Sequence, residues 1–328
     1  MIKGKILITG GLGFLGSHIT RHLDRLGANV SIFARPTSPE TIFPNQVPII
    51  RGDIRDEKMV QKAIQGASHV IHLISNFRKG GSDKNEAYDI NVIGTQHVLA
   101  ACRKFSVKRL VHCSTIGVHG NVREIPANEE TPYNPGDLYQ STKLEAEKRV
   151  WEVYRNKNLP ISVIRPISMF GPGDFRMLKL FRMIKKRRFV IIGDGTPFFQ
   201  PAYIDDVVNG FLLALQKKEA IGEAFIIGGH EYVRLNTLFE MIAEALDVPP
   251  PRVRIPLKPV LSLSVICEKV CTPLGMEPPI HRRRVSFFQN NRAFTIDKAR
   301  NLLGFDPKTS LKEGIRKTIE WYRKEGLM

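Results

Sequence analysis

The sequence predicts an α/β fold in which helices cover both faces of a parallel sheet and a smaller mixed α/β cap follows. Three observations lead to this prediction. Short apolar runs alternate with helical stretches in the first half, a glycine-rich turn follows the first run, and the alternation loosens after Pro166. Apolar runs of about four to eight residues are typical of buried strands. Strands that alternate with helices form parallel sheets through right-handed crossovers.

The apolar runs place the strands at residues 4–9, 29–34, 47–50, 69–74, 107–113 and 161–165. Helices are predicted from the first turn to Gly27, from a cap at Asp56 to Gln65, and over 83–104 and 137–156. In a doubly wound sheet of this kind, ligands bind at the carboxyl ends of the strands. Functional residues are therefore expected where the strands end.

The chain is expected to form two domains, because its length fits about 150 residues per domain. The first spans 1–166 and takes back a return segment near 203–228, while 167–328 is mainly a substrate-binding cap. In the cap, residues 260–270 are apolar at helical spacing. This stretch fits a helix packed on the core, a wall of an apolar substrate pocket, or a surface that touches a membrane.

The formal net charge of +17 favours an anionic partner. Candidates are a phosphorylated cofactor, an acidic substrate, nucleic acid or an anionic membrane surface. Basic runs stand at 185–188 and 282–284, where solvated helix ends are the simplest interpretation. They have little aromatic interleaving and no accompanying motif, so nucleic acid is not expected. Weak contact with a membrane surface stays open.

The four cysteines, Cys102, Cys113, Cys267 and Cys271, form no Cys-x-x-Cys pair. They are expected to be small buried hydrophobes in a reducing compartment, and no metal site is predicted. The chain has no apolar run of the roughly 20 residues that span a bilayer. Its first residues lack a signal-peptide pattern. A cytoplasmic protein is therefore expected.

A dinucleotide-binding loop is predicted at residues 9–16, TGGLGFLG, between the first strand and the first helix. Backbone N–H groups at a helix N-terminus attract a pyrophosphate, and glycine leaves room for it to approach. This position makes the Gly-x-Gly-x-x-Gly pattern a strong signal. The predicted cofactor-binding residues of the loop are Gly10, Gly11, Gly13, Phe14, Leu15 and Gly16.

The end of the second strand reads Ala34-Arg35 and carries no acidic residue. An acid at this point binds the ribose of NAD, whereas an arginine accommodates the 2′-phosphate of NADP. The sequence thus favours NADP, with NAD as the alternative. Asp53 either accepts from the adenine amino group or caps a helix. Ile54 and Leu73 are expected to line the same site.

Tyr139 and Lys143 are four residues apart on a predicted helix, and therefore face the same way. Lowering the pKa of a tyrosine from about 10 to about 7 takes roughly 4 kcal/mol. One ammonium about 4 Å away supplies roughly that amount at an effective dielectric constant of about 20. Ser114 and Thr115 end the fifth strand, where a hydroxyl can bind a substrate oxygen. Base, pKa-lowering cation and orienting hydroxyl together predict a catalytic site.

The motifs TGGLGFLG, the Asp53 turn, NVIGT from Asn91, Ser114-Thr115, YQSTK and Arg165-Pro166 occur in this order. Together they resemble the extended short-chain dehydrogenase/reductase family, also called NAD-dependent epimerase/dehydratase-like. The resemblance implies a Rossmann domain. It covers nearly the whole chain and is most specific in the first 170 residues.

The resemblance also implies roles for individual residues. Thr115, rather than Ser114, would bind the reacting oxygen, and Tyr139 would be the acid/base. Lys143 would hold the nicotinamide ribose and lower the pKa of the tyrosine. Asn91 would support the active site. The segment from Arg165 would pass beside the nicotinamide, with Pro166 and Ser168 as cofactor-binding residues.

Two departures disfavour nucleotide-sugar chemistry, since Ser168 replaces the usual Asn of the epimerases and His119 replaces their usual Tyr. RPISMFGPGD and the stretch from NRAFTID to IEWY resemble hydroxysteroid dehydrogenases and dihydroflavonol reductases. The expected activity is hydride transfer between nicotinamide and a secondary alcohol or ketone of a bulky, largely apolar small molecule. A nucleotide-sugar epimerase or dehydratase with tightly held NAD is the alternative.

A cofactor-binding protein without catalysis is disfavoured, because proteins of that kind usually lack the tyrosine or the lysine. The family resemblance also leaves open a homodimer through helices 83–104 and 137–156.

Overall fold

The computed structural model describes residues 2–39, 43, 45–77, 84–157, 159–271, 276, 278–280 and 282–328. Residue 83, where the third predicted helix begins, lies outside this part. The strands, in chain order, are β1 Lys5–Thr9, β2 Val30–Ala34, β3 Ile49–Arg51, β4 Ala67–His72, β5 Arg109–Cys113, β6 Ile161–Pro166, β7 Ser168–Phe170, β8 Ile191–Ile192, β9 Phe198–Phe199, β10 Pro201–Tyr203, β11 Ala224–Ile227, β12 Val233–Arg234 and β13 Arg254–Ile255.

Seven of these strands form one sheet in the order β3-β2-β1-β4-β5-β6-β11. Every neighbouring pair is parallel. The strand order reverses between β1 and β4, which is the switch point where doubly wound sheets bind their ligands. The predicted fold class is confirmed, and the segment near 203–228 contributes β11 to the sheet.

The helices are α1 Phe14–Arg25, α2 Glu57–Ile64, α3 Lys84–Tyr88, α4 Gly94–Lys104, α5 Leu138–Lys157, α6 Phe175–Lys185, α7 Ile204–Gln216, α8 Leu235–Ala245, α9 Leu257–Cys271, α10 Arg282–Val285, α11 Asp297–Leu303 and α12 Leu311–Lys324. Asp56 caps α2 as predicted, accepting from the Met59 N–H at 3.1 Å. The expected helix over 83–104 is not one α-helix, since a π-helical turn, Asp89–Ile93, joins α3 to α4.

The core lies on both faces of the sheet, because alternate residues of a strand point to opposite sides. In β1, Ile6 and Ile8 pack in a cluster that includes Phe211 of α7 and Phe239 of α8. Leu7, between them, packs on the other face in a separate cluster. The first cluster also takes in buried residues of α6, α11 and α12, so the C-terminal elements share a core with the sheet. The division into domains at residue 166 stays a prediction.

Within the described residues, no helix combines the length and the apolar character needed to cross a membrane.

Candidate active site

The glycine turn after β1 leads into the N-terminus of α1. Gly10 has a φ of +77°, which lets the chain turn sharply, and Gly13 occupies the N-cap position of α1. Among the described residues, no side chain caps this helix by a hydrogen bond, and its first turn contains no acidic residue. Because the first N–H groups of a helix have no intrahelical acceptor, this terminus is suited to an anion.

The glycines of the turn differ in what surrounds them. A Cβ on Gly16 would lie 2.1 Å from the Gly10 carbonyl oxygen, and one on Gly11 would lie 2.7 Å from Cγ1 of Ile32. Packing alone therefore requires these two glycines. A Cβ on Gly13 would meet only the Gly10 oxygen, at 3.3 Å, among the described residues. The space above Gly13 is thus a cradle that a side chain would fill, and it fits the pyrophosphate of a dinucleotide.

At the ends of β2 and β3, three arginines and a carboxylate lie near each other. Arg35 is exposed just after β2, and its carbonyl accepts from Nη1 of Arg51 at 3.1 Å. Asp53 accepts from Nε of Arg55 at 2.9 Å. This bond, with a smaller contribution from the charge of Arg35, lowers the pKa of Asp53. The alternative interpretation of Asp53 as a helix cap is wrong, because Asp56 fills that position.

Ile54 is buried shortly after the end of β3. A Cβ on Gly94, the first residue of α4, would lie 2.7 Å from Cγ1 of Ile54, so the helix packs directly on this side chain. The side chain of Ile54 therefore belongs to the core, and only its backbone lies at the edge of the sheet.

The end of β4 is fixed to the end of β1. The N–H of Leu73 donates to the carbonyl of Thr9 at 3.1 Å, which sets Leu73 beside the glycine turn. His72 Nδ1 and Thr9 Oγ1 are hydrogen-bonded at 2.7 Å, and His72 Nε2 and Thr95 Oγ1 at 3.1 Å. Burial lowers the pKa of His72 to about 3. The imidazole is therefore neutral at physiological pH.

The first turns of α5 bring Tyr139 and Lys143 to the end of β5. Lys143 is buried, and its Nζ donates to the carbonyl oxygen of Cys113 at 2.6 Å. Burial lowers the pKa of Lys143. Tyr139 is half-buried, and its ring meets that of Phe77 edge to face, with 4.9 Å between centroids. A fixed ammonium therefore lies one helical turn from the tyrosine.

The two hydroxyls that follow β5 have different surroundings. Ser114 is buried, and its Oγ donates to the carboxylate of Glu147. Thr115 is half-buried at the N-cap of a 3₁₀ turn, Ile116–His119, and its Oγ1 accepts from the Gly117 N–H at 3.0 Å. The Thr115 hydroxyl keeps its own proton to donate, which favours Thr115 over Ser114 as the group that meets a ligand.

Asn91 lies inside the π-helical turn and ties α5 to the loop after β4. Its Oδ1 accepts from the Asn76 N–H at 2.7 Å, and its Nδ2 donates to Thr142 Oγ1 at 2.8 Å. Thr142 in turn donates to the Tyr139 carbonyl at 3.0 Å. Since single π turns often occur at functional sites, this one fits the supporting position expected for Asn91.

A buried ion pair beneath the site was not found by sequence reasoning. Glu147, one turn beyond Lys143, binds Arg165 at the end of β6, with 3.2 Å between Arg165 Nε and Glu147 Oε1. Arg165 also donates to the Tyr133 hydroxyl at 2.7 Å and to the Glu129 carbonyl at 2.8 Å. The only indication of this pair in the sequence is helical spacing. Glu147 follows Lys143 by four residues, as Lys143 follows Tyr139, so all three lie on one side of the helix.

The segment after Arg165 runs along the edge of the site. Pro166 is buried at the end of β6, and Ser168 begins β7, half-buried. His119, the other departure from the epimerase pattern, is bonded through Nε2 to Arg165 Nη1 at 3.1 Å. Burial, followed by the charge of Arg165, lowers the pKa of His119 to about 4. His119 is therefore a neutral partner of the arginine.

Across the described residues, no three or more His, Cys, Asp or Glu side chains are placed to hold a metal ion. The four cysteines are free. Cys102 is buried, while Cys113, Cys267 and Cys271 are half-buried, so the expectation of buried cysteines holds fully only for the first.

The model of the NAD dependent epimerase/dehydratase family matches residues 6–228. The chain is 31% identical to the Arabidopsis thaliana 3beta-hydroxysteroid-dehydrogenase/decarboxylase isoform 1, over 96% of this chain and 78% of the relative. It is also 31% identical to the 2-alkyl-3-oxoalkanoate reductase of Stenotrophomonas maltophilia, over 95% of this chain and 98% of the relative.

Two solved structures share the whole fold. The crystal structure of gox2253 superposes with a TM-score of 0.84 at 27% identity, covering 99% of this chain and 100% of the other. MoeE5 in complex with UDP-glucuronic acid and NAD gives a TM-score of 0.78 at 25% identity, covering 98% and 100%. The family expected from the motifs is confirmed.

Proposed function

The chain belongs to the NAD dependent epimerase/dehydratase family, and from this we propose that it transfers hydride between nicotinamide and a secondary alcohol or ketone. The chain is an NAD(P)-dependent oxidoreductase of the extended short-chain dehydrogenase/reductase type. The observation that carries the proposed site is the buried Lys143 ammonium, held by the Cys113 carbonyl one turn from Tyr139. The Lys143 ammonium lies at the edge of the sheet formed by the carboxyl ends of its parallel strands, and the glycine turn after β1 lies at the same edge.

The residues divide the chemistry among them. Tyr139 exchanges a proton with the substrate oxygen, and Thr115 donates a hydrogen bond that orients that oxygen. The Lys143 ammonium favours the ionised tyrosine and is placed to bind the nicotinamide ribose. The cradle at Gly13 would hold the pyrophosphate, and the bound nicotinamide supplies or accepts the hydride. Asn91, through Thr142, fixes the turn of α5 that carries Tyr139.

We propose a bulky, largely apolar substrate. The names of two relatives support this class, since one acts on 3beta-hydroxysteroids and the other reduces 2-alkyl-3-oxoalkanoates. In this chain, Ser168 stands where the epimerases usually have an Asn, and the imidazole of His119 is bonded to Arg165 in the buried network. A nucleotide-sugar epimerase with tightly held NAD is the second candidate, and the likeness to MoeE5 with bound UDP-glucuronic acid and NAD favours it.

Product analysis separates the two candidates. The purified full chain is incubated with ketosteroids, 3-oxoalkanoates or UDP-sugars, with and without NADPH, and the nicotinamide absorbance is followed. We expect one NADPH to be consumed for each apolar ketone reduced. Inversion of a UDP-sugar without net change in cofactor would refute the proposal and establish the epimerase.

We propose that NADP(H) binds more tightly than NAD(H). Arg35 is exposed just after β2, where an arginine would accommodate a 2′-phosphate, and the neighbouring Asp53 carboxylate is engaged by Arg55. A hydrogen bond between charged groups contributes about 1.5–3 kcal/mol, so Arg35→Ala should weaken NADPH binding roughly ten- to hundredfold in calorimetric titrations. NADH binding should change little, and Arg25→Ala, at an exposed site on α1, is the control. An unchanged preference in Arg35→Ala, or tighter binding of NADH by the wild type, would contradict the proposal.

We also propose a homodimer through α4 and α5 and a cytoplasmic location. Sedimentation velocity and cell fractionation test these two points separately. A monomer at all concentrations would exclude the first.

A further inference from the structure

Helix α9 is rich in apolar residues that the rest of the chain does not cover. Its large aliphatic residues are Leu257, Val260, Leu261, Leu263, Val265, Ile266 and Val270, yet only Ser264 is buried. Leu263, Ile266 and Val270 are 48%, 57% and 54% exposed. A helix normally packs its apolar side chains against a protein core or against lipid. Among the described residues, no partner of that kind encloses α9.

The exposed apolar surface is concentrated around this helix. Large hydrophobic side chains at least 36% exposed occur here at Val253, Ile255, Leu263, Ile266, Val270 and Met276. Elsewhere in the described chain such residues are scattered. Single exposed hydrophobics are ordinary, but a contiguous set marks an interaction surface.

The outward face of α9 also carries lysines. Lys258, Ser262 and Ile266 follow at intervals of four residues, and Lys269 comes three residues later, so they lie along one side of the helix. All four are exposed, as are Leu263 and Val270 beside them. The amines therefore flank an apolar stripe. This is the layout of helices that lie in a membrane interface, where lysine stems cover apolar surface and the amines reach lipid headgroups.

Two basic segments meet beside α9. Residues 181–194 and 250–271 contain nine lysines and arginines and two acids, Asp194 and Glu268, which gives +7 of the total +17. β8 pairs with β13, so the two segments run side by side at residues 191–192 and 254–255. Glu268 is already engaged by Arg282, with Arg282 Nε to Glu268 Oε2 at 2.7 Å. The face defined by α9 and these two segments, the α9 face, is therefore apolar and strongly cationic.

We propose that the α9 face docks on an anionic lipid bilayer. A bilayer offers both acyl chains for Leu263, Ile266 and Val270 and negative headgroups for the surrounding cations. A second copy of the chain would bring the same cationic segments, with a net charge of +7, against these, and lysine is depleted at the cores of protein–protein interfaces. Charge complementarity thus selects the bilayer. This surface property does not depend on the proposed reaction.

Vesicle flotation with the full chain tests the proposal. We expect the wild type to float with phosphatidylcholine vesicles that contain phosphatidylserine, and to remain unbound with phosphatidylcholine alone or in high salt. Removing two interfacial charges in the double variant K258A/K269A should weaken binding roughly 25-fold, at about fivefold for each lysine. The double variant I266S/V270S should weaken it at least about tenfold. Leu302→Ser, at a 40% exposed site on α11, is the matched control and should bind like the wild type.

Circular dichroism and thermal unfolding should be unchanged in these variants, because the replaced side chains are exposed. Absence of wild-type flotation with anionic vesicles would overturn the proposal, and so would binding that neither double variant weakens. Loss of a dimer in I266S/V270S, without any vesicle binding by the wild type, would assign the face to a second copy instead. Turnover of a short water-soluble ketone, measured without vesicles, should persist in every variant, so failure of docking is distinguishable from failure of the proposed reaction.

Discussion

Helices α5 and α9 reverse the usual relation between polarity and burial. Helix α5 buries a lysine and a glutamate, Lys143 and Glu147, whereas α9 exposes Leu263, Ile266 and Val270. In α5 each buried charge has a partner, the Cys113 carbonyl for Lys143 and Arg165 for Glu147. In α9 the apolar side chains lack the enclosing neighbours that α5 has. Burial is therefore decided by available partners: the charges of α5 find theirs within the chain, whereas the three apolar side chains of α9 find few among the described residues.

The largest expected effect tests whether α5 is a catalytic element. Tyr139→Phe should lower kcat about 10²- to 10⁴-fold, because it removes proton transfer while the glycine turn stays intact. NADPH affinity, measured by calorimetry, should be nearly unchanged. Tyr154→Phe on the same helix should keep wild-type turnover. If Tyr139→Phe also turned over normally, α5 would be only a structural helix with buried charges.

Much of the sheet and part of the site were predictable from the sequence. Largely apolar runs such as those of β1 and β2 predict buried strands, because both faces of a parallel strand are covered. The pair Tyr139 and Lys143 was predictable because helical spacing alone brings such residues to one side. In each case, the pattern that allows the prediction lies within a single strand or helix.

The rest depends on distant neighbours. The π-helical turn Asp89–Ile93 widens one turn of the helix, and no glycine or proline within it marks the change in the sequence. The pair between Glu147 and Arg165 needs β6 to pass under α5, which spacing along α5 does not encode. The apolar spacing of α9 predicted a helix, but periodicity identifies a face and not the partner that covers it.

The second expected effect measures what a buried charge on α5 contributes. Glu147→Leu should destabilise the protein by about 3–5 kcal/mol, because it leaves Arg165 buried without a counter-charge. Urea unfolding gives the value. Glu152→Leu is the matched control on the same helix, since Glu152 pairs with Arg149 at the surface and such pairs contribute at most about 1 kcal/mol. Replacing both partners, in E147L/R165M, should restore most of the loss. A loss equal to that of Glu152→Leu would show that the pair is not buried in solution.

The third expected effect is acid sensitivity near the site. Burial holds the pKa of His119 near 4, below its ordinary value, so the unfolded chain binds a proton that the folded chain refuses. Stability is therefore lost as the pH falls below the ordinary pKa. This histidine should contribute about 2 kcal/mol of loss between about pH 6.5 and pH 5.

His119→Phe should remove this contribution from the loss of unfolding free energy that urea titrations show as the pH falls. The same change at the exposed His22 should leave that loss unaltered. An unaltered slope in His119→Phe would mean that the imidazole is already solvated.

The smallest expected effect is that of Leu263→Ala on α9. It gives the most direct test of the contrast when it is compared with the same substitution in the core. Leu110 of β5 is 1% exposed, and its side chain packs in the core on one face of the sheet. Leu110→Ala should therefore lower the free energy of unfolding by about 2–5 kcal/mol through lost burial and a cavity. Leu263→Ala should change stability by no more than about 0.5 kcal/mol, because Leu263 is 48% exposed and about half of it already faces water. Urea unfolding of both variants under one condition provides the comparison. A loss above about 1.5 kcal/mol for Leu263→Ala would approach the range of core substitutions. Such a loss would mean that the chain itself covers α9, and the helix would then need no bilayer to account for its apolar face.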